Sequence, residues 1–258
     1  MNALNWIHPQ FDSLLDIGCN VGALLSHCAQ INPKAKLAGV EINGAALEVA
    51  RSNVPSAALI HGGAESLPFQ SNYFQYITCI EVLEHIPEHL REDAFREMHR
   101  VLMPGGRLIL TVPHAGWFAW LDPNNIRFRL PKLYNWLVRT GRRDSSYKNR
   151  SNSVVWHHHF SRDELLNLTG DKWKEVTKRY GGLFIAPLMD LFSWPFYRLG
   201  ASEHRLRKVF ERIAAWDYLS NFGTASYRIL MVFDKLDLVS PNPQNDAPNL
   251  RKATNDPA

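Results

Sequence analysis

The stretch LLDIGCNVGAL, residues 14–24, decides the fold of this chain of 258 residues. The apolar run SLLDIG (13–18) ends in glycine, and VGALLSHCAQIN (21–32) repeats apolar residues at helical spacing. This order predicts a strand, a glycine-bearing turn and a helix. Gly18 and Gly22 let the backbone approach a ligand closely, and the helix N-terminus favours negative groups.

The same strand–helix alternation continues to residue 113. We predict further strands at 36–43, 57–63, 75–83 and 103–113, and further helices at 44–54 and 87–102. Mostly apolar strands that alternate with helices indicate a largely parallel sheet covered on both faces. The predicted fold class is therefore α/β, doubly wound.

After residue 113 the composition changes, since 22 of the 29 aromatic residues lie in 114–258. We predict a helix at SRDELLNLTG (161–170), with Ser161 as its N-cap and Glu164 three positions on. Strands are predicted at 173–182 and 226–235, and the aromatic segment between them reads as helical. The residues from Ser240 onward hold four prolines and no aromatics, so we predict a disordered tail, 240–258.

The formal net charge of +4 is local rather than general. Residues 1–126 carry 7 basic and 12 acidic side chains, and residues 151–258 carry 14 and 12. Residues 127–150 carry 8 basic and 1 acidic, so this segment supplies more than the whole excess. The total therefore does not by itself indicate a nucleic-acid-binding protein.

Several protein classes are disfavoured by the sequence. The sequence contains no run of 18 or more apolar residues, so it predicts no transmembrane helix. The first ten residues do not resemble a secretory signal. Three unclustered cysteines fit a reducing compartment and form no zinc or disulfide framework. We therefore expect a cytoplasmic protein.

Two acids end predicted strands beside the glycine turn. Asp16 stands two residues before Gly18, where a buried acid needs a positive or hydrogen-bonding partner. Glu41 ends the second strand, where it is placed to accept hydrogen bonds from a ribose diol. The alternative is that Asp16 caps the helix and Glu41 is a solvated loop acid.

Five motifs together resemble one family. They are DIGCNVG (16–22), VEIN (40–43), GGAESLPF (62–69), ITCIEVLEHI (77–86) and LMPGGRLIL (102–110). Their order and spacing are similar to those of class I S-adenosylmethionine-dependent methyltransferases, in the branch that modifies small molecules, quinones, lipids and glycans. The resemblance covers roughly residues 10–114 well and 156–235 loosely. It implies a seven-stranded, mostly parallel Rossmann-like sheet and S-adenosyl-L-methionine as cofactor.

The resemblance also implies roles for particular residues. Around the methionine part of the cofactor it places Asp16, Gly18, Cys19 and Gly22. It places Glu41 at the ribose, Ile42 against the adenine, and Ala64 and Glu65 at the adenine edge, with Ile80 and Glu81 closing the site. Asn20 replaces the middle glycine of the usual triplet. Asn tolerates left-handed backbone, so we expect a working turn.

The implied chemistry is in-line methyl transfer, in which alignment of the acceptor supplies much of the rate. We predict His85, just past the fourth strand, as the base for a hydroxyl acceptor. The alternative is that His85 only hydrogen-bonds locally. The string Glu81-x-x-Glu84-His85 also resembles the metal-binding motif of ubiquinone-pathway O-methyltransferases, although metal-independent relatives carry similar strings. We therefore assign no metal ligand.

The second half is expected to choose the acceptor, with 114–160 and 183–224 as a lid or cap. The segment 124–150 interleaves basic and aromatic residues, which fits an anionic substrate, an anionic membrane surface, RNA or a solvated face. The first two functional interpretations are favoured over RNA because the basic cluster is single. In WHHHF (156–160), His158 or His159 could assist the acceptor or be structural. The apolar segment 183–200 is either an aromatic cap or a wall for a lipid-like substrate.

We therefore predict a single methyltransferase domain over 1–239, with the cofactor-binding half at 10–113. The predicted reaction is O-methylation of a small-molecule, glycan or lipid-linked acceptor, with peripheral contact to an anionic membrane surface as a further hypothesis. An RNA-modifying methyltransferase and a non-catalytic cofactor-binding module are the alternatives. A nicotinamide oxidoreductase would share the glycine turn but would not explain the later motifs.

Overall fold

A computed structural model describes residues 3–117, 158–183 and 204–236, with a few isolated positions between them. Seven strands are present, namely β1 (Ser13–Ile17), β2 (Lys36–Glu41), β3 (Ala58–His61), β4 (Phe74–Ile80), β5 (Leu102–Pro113), β6 (Trp173–Gly181) and β7 (Arg228–Lys235). The described α-helices are α1 (Ala23–Ile31), α2 (Gly44–Asn53), α3 (Glu88–Val101), α4 (Arg162–Thr169) and α5 (Arg205–Leu219). The predicted elements of residues 13–113 are all present, with bounds shifted by a few residues.

The strands form one mixed sheet in the order β3-β2-β1-β4-β5-β7-β6. Strands β1 to β5 pair in parallel, whereas β7 runs antiparallel to both β5 and β6. The predicted seven-stranded, mostly parallel Rossmann-like fold is thus confirmed, with β7 as the antiparallel member. The carboxyl ends of β1, β2, β4 and β5 therefore lie along one edge of the sheet, next to the amino-terminal end of β7.

Side chains of the strands alternate between two apolar layers, as a sheet buried on both faces requires. In β5, Leu108 and Leu110 face a core that includes Phe95 of α3 and Leu165 of α4. Ile109, between them, belongs to the other core with residues of α1 and α2.

Local sequence signals explain where two helices begin. The side chain of Asn43 accepts hydrogen bonds from the backbone N–H groups of Ala45 and Ala46, which caps α2. The hydroxyl of Ser161 accepts from the backbone N–H of Glu164 at 3.1 Å, the cap predicted for α4. Both caps satisfy amide groups that the first helical turn leaves unpaired.

Charged groups tie α3 to the second half of the chain. Arg91 of α3 is buried, donates through Nε to the carbonyl of Ile86 at 3.1 Å, and lies 4.9 Å from the centroid of the Phe160 ring. Arg107 of β5 and Asp234 of β7 form a two-point pair, with N···O distances of 2.7 and 3.1 Å. Arg91 thus joins α3 to the residue before the N-cap of α4, and the Arg107–Asp234 pair holds β7 against β5.

Candidate active site

The turn after β1 is built from three residues with left-handed backbone. Gly18, Asn20 and Gly22 have φ values of 71°, 48° and 77°. A Cβ atom added at Gly18 would overlap the side chain of Val82, so this position requires glycine for its space as well as its φ. Asn20 adopts the conformation that glycine usually supplies, and its replacement of the middle glycine leaves the turn intact.

Backbone hydrogen bonds hold this turn against the end of β2. The N–H groups of Gly18 and Cys19 both donate to the carbonyl of Val40, at 2.8 and 3.1 Å. The carbonyl of Val21 accepts from the side-chain amide of Asn53 at 2.8 Å. These hydrogen bonds attach the turn to β2 and α2.

Glu41 joins the turns that follow β1 and β2. Its Oε2 accepts from the backbone N–H of Asn20 at 2.9 Å, and its Oε1 accepts from that of Asn43 at 2.7 Å. The side chain is largely buried, so the carboxylate has one fixed position at the sheet edge. Each carboxylate oxygen has two lone pairs, and therefore this group can also accept hydrogen bonds from a vicinal diol.

An apolar surface lies next to this carboxylate. Ile42 is 76% exposed, which is unusual for a residue that directly follows a buried strand. The Gly62 N–H donates to the carbonyl of Glu41 at 3.1 Å, so the loop after β3 lies beside the loop after β2. In that loop Ala64 is buried and the carboxylate of Glu65 lies over Gly63. An exposed isoleucine beside a polar loop fits a flat heterocycle with hydrogen-bonding edges.

Asp16 lies beneath the turn as a buried acid. Its Oδ1 accepts a hydrogen bond from the hydroxyl of Thr78 on β4 at 2.7 Å. Burial raises the pKa of Asp16 to about 7, the Thr78 hydrogen bond opposes this, and the negative charge of Glu41 raises it further. A positive group at the edge would favour the ionised form.

Cys19, predicted to frame the methionine part of the cofactor, has its side chain in the core. The thiol packs against Gly39 of β2, where an added Cβ would lie 2.7 Å from its Sγ. Burial and the nearby charges of Asp16 and Glu41 raise its pKa to about 12. The thiol therefore contributes packing, and only the backbone of Cys19 belongs to the turn.

Glu81 links the ends of β4, β5 and β7. Its backbone is left-handed, with φ of 55°, and its N–H donates to the Thr111 carbonyl at 2.9 Å. The Glu81 Oε1 accepts from the Thr111 hydroxyl at 2.9 Å, and Oε2 lies 3.4 Å from Nη2 of Arg228. Non-glycine residues are rarely held in this conformation, and such strain concentrates at functional sites. Ile80, the last residue of β4, is half-buried directly before it.

The two carboxylates and the imidazole of the Glu81-x-x-Glu84-His85 string lie in different environments. Glu81 points to Thr111 and Arg228, whereas Glu84 is 2% exposed and lies in the core. The His85 side chain is 66% exposed, with Nε2 3.9 Å from Oε1 of Glu84. Within the described parts of the chain, no group of three His, Cys, Asp or Glu side chains is arranged to hold a metal ion.

The histidines of the second half have partners within the protein. His158 Nε2 lies 2.7 Å from Oε1 of Glu164 on α4, and the ring of His159 packs against Tyr227. Both rings therefore have structural contacts. The imidazole of His85, which follows β4, is more exposed than that of His158. His114, which the sequence did not single out, is buried at the end of β5 with Nδ1 3.0 Å from the Ser226 carbonyl.

Sequence reasoning missed the side chains that support the predicted ones. Thr78 and Thr111 are each the only threonine of a mostly apolar strand, and that pattern was a usable signal. Val82 over Gly18 and Arg228 beside Glu81 had no such signal, because each contact joins segments that are distant in sequence.

The segments predicted to choose the acceptor lie largely outside the described residues. Of the basic segment 127–150 only Pro131 and Lys132 are described, and 183–200 and the tail 240–258 are described at isolated positions or not at all. No helix within the described ranges is both long and apolar enough to span a membrane.

Comparison with known proteins gives the same family as the motifs. Residues 15–110 match the family model described as "Methyltransferase domain". A demethylmenaquinone methyltransferase of Listeria welshimeri is 34% identical over 149 residues, which cover 50% of this chain and 62% of the Listeria protein. Residues 15–110 are therefore similar to the methyltransferase domain that the motifs also resemble, and the chain spans 62% of the length of this relative.

Solved structures support the fold over a longer part of the chain. An S-adenosylmethionine-dependent methyltransferase of Methanosarcina mazei superposes with a TM-score of 0.56 at 21% identity, covering 90% of this chain and 95% of the other. A TehB-like methyltransferase of Corynebacterium glutamicum gives 0.53 at 14% identity, covering 90% and 85%. At such identities the likeness establishes the shared fold.

Proposed function

We propose that this protein transfers a methyl group from S-adenosyl-L-methionine to a small-molecule, glycan or lipid-linked acceptor. The observation that carries the proposal is the position of Glu41, whose two oxygens each take one backbone N–H from the turns after β1 and β2. A buried carboxylate fixed in this way, beside a left-handed glycine turn and an exposed Ile42, is suited to a ribose and its adenine. When bound, the cofactor supplies a methyl group made electrophilic by its sulfonium.

The residues of the first half have separate tasks in this proposal. Gly18 and Gly22 leave the backbone of the turn open to the methionine part, and Glu41 holds the ribose hydroxyls. Ile42 covers one face of the adenine, and Ala64 with Glu65 borders its edge. Asp16 lies beneath the turn, where the positive charge of the ligand would shift it towards its ionised form.

The acceptor side begins where β4 and β5 end. Ile80 and Glu81 close the cofactor site there, and Thr111 and Arg228 hold the Glu81 carboxylate in place. His85 is exposed at the same end and is the proposed base for a hydroxyl acceptor. Orientation of the acceptor in line with the S–CH3 bond is the main task of these residues.

The acceptor class follows from the relatives and from the sequence of the second half. The curated relatives are named demethylmenaquinone methyltransferases, and a lipid-like quinone would suit the aromatic segment 183–200. We assign transfer of the methyl group to an oxygen atom of the acceptor. The similarity to demethylmenaquinone methyltransferases suggests transfer to a carbon atom as the alternative. The basic segment 127–150 would then contact an anionic group of the acceptor or an anionic membrane surface. We assign residues 1–239 to a single domain.

Two measurements test this proposal. Calorimetric titration with S-adenosylhomocysteine should give saturable binding, and its absence in folded protein would contradict the cofactor assignment. Incubation with methyl-labelled S-adenosylmethionine and fractionated cell extract should then transfer label to an organic-solvent fraction. Label in RNA would favour the RNA-modifying alternative, and binding without any transfer would favour a non-catalytic module.

A further inference from the structure

Helix α5 exposes a continuous apolar stripe. Leu206, Val209, Ile213 and Trp216 follow one another at spacings of 3, 4 and 3, and each is between 37% and 57% exposed. Successive residues of an α-helix are rotated by about 100°, so these four lie within an arc of about 80°. Large apolar residues that are exposed at regular helical spacing mark an interaction surface rather than scattered exposure.

The helix is attached to the protein through a different stripe. Ala214 and Asp217 are buried, and the carboxylate of Asp217 accepts from the backbone N–H of Leu183 at 2.8 Å. Phe210 lies on the same side, with its ring 6.0 Å from that of Phe192. The exposed stripe is therefore not the one that fixes α5 to the sheet.

The exposed charged side chains of α5 that border the apolar stripe are all positive. Arg205, Lys208 and Arg212 form a neighbouring stripe on the side away from the packed residues. The acidic Glu211 lies on the far side of the helix and pairs with Arg207. The helix thus presents an apolar stripe bordered by three cations, which is the pattern of helices that lie in a membrane interface.

We propose that α5 docks on an anionic lipid surface. Leu206, Val209, Ile213 and Trp216 enter the boundary between headgroups and acyl chains, and the adjacent basic stripe contacts lipid phosphates. Trp is well suited to this depth because its ring is apolar and its N–H is polar. This inference does not depend on methyl transfer, since it rests on α5 alone. It would bring the protein to the surface where lipid-like acceptors are found.

A second copy of the chain is a poorer occupant of the stripe. In a two-fold pair of antiparallel helices, each flank of one helix faces the same flank of its partner. Contact through the apolar stripe would therefore bring the two basic stripes together, and like charges would repel. An anionic surface, in contrast, complements both stripes at once.

The test is co-sedimentation of the full chain with two kinds of vesicle. Neutral vesicles contain phosphatidylcholine alone, and anionic vesicles contain phosphatidylcholine and phosphatidylglycerol. We expect sedimentation with the anionic vesicles that weakens as salt rises. The combined variant Val209→Gln and Ile213→Gln should lower it several-fold. Changing Arg205, Lys208 and Arg212 together to Gln should weaken the affinity for anionic vesicles about 100-fold at low salt, because each basic residue contributes roughly fivefold.

Matched controls separate α5 from other surfaces. Val49→Gln alters a similarly exposed residue of α2, and Lys34→Gln removes an exposed charge, so both should sediment like the unaltered chain. Circular dichroism and urea unfolding of every variant verify folding and are expected to be unchanged, whether or not the protein binds S-adenosylhomocysteine. Sedimentation that survives both α5 variants, or none with the unaltered chain, would overturn the proposal. So would light scattering that finds a dimer which the α5 variants separate into monomers.

Discussion

Replacement of Asp16 by Asn should remove a pH dependence from the stability of this protein. Burial holds the pKa of Asp16 at about 7 in the folded chain, against 3.8 for the unperturbed group. The raised pKa means that folding favours the protonated carboxyl. Its stabilising contribution is therefore fully present below about pH 4 and is lost as the pH rises through about 7.

The magnitude follows from the difference between the two pKa values. A difference of about three units, at 1.36 kcal/mol per unit, corresponds to about 4 kcal/mol between the two extremes. About 3 kcal/mol of this falls between about pH 5 and pH 8. In Asp16→Asn the amide oxygen can still accept from the Thr78 hydroxyl, and the variant has no proton to lose. Asp16→Asn should therefore gain stability relative to the unaltered protein as the pH rises.

The assay is urea unfolding of the cofactor-free protein between about pH 5 and pH 8. The informative quantity is the difference in the free energy of unfolding between Asp16→Asn and the unaltered chain, because other titrating groups cancel. Asp163→Asn is the control, since its side chain is 89% exposed beside Arg162, and its difference should stay nearly constant. Parallel pH profiles for Asp16→Asn and the unaltered protein would refute the reasoning.

Three further predictions concern the turn, the ribose site and the acceptor side. Glu41→Gln removes a charged acceptor, and charged hydrogen bonds contribute about 1.5–3 kcal/mol, so titration should find S-adenosylhomocysteine binding about 10–100-fold weaker. Glu48→Gln on α2, where the side chain is 69% exposed, should bind normally. Gly18→Ala should cost about 2–5 kcal/mol in urea unfolding, for its left-handed φ and its overlap with Val82. Gly105→Ala shares the positive φ but has open space, so an equal loss there would exclude the Val82 contact as a cause. With an acceptor identified, His85→Ala should lower kcat about 10²–10⁴-fold and His89→Ala should not; equal rates would mean that His85 is not the base.

The sequence predicted the elements of the first half well because their signals are local. Apolar residues recur within a few positions, and the caps of α2 and α4 join residues two or three apart. The turn after β1 was also predictable, including Asn20, since left-handed backbone is a property of single residues.

The candidate site was predicted only in part. Glu41 and Asp16 could be placed at the sheet edge because the ends of neighbouring parallel strands meet there. The directions of Glu81, Glu84 and His85 could not, because the left-handed backbone at Glu81 and the short turn after it send the three side chains to different surroundings.

By itself, then, the sequence determined the strands, the helices and the glycine turn of the first half, and its motifs carried the resemblance to one family. Tertiary structure alone decided that β7 enters antiparallel between β5 and β6, and that Arg228 thereby reaches Glu81. It also decided which stripe of α5 is covered. The physical reason is that periodicity and capping act over a few residues. The pairing of β7 with β5, in contrast, joins residues that are more than a hundred positions apart in the chain.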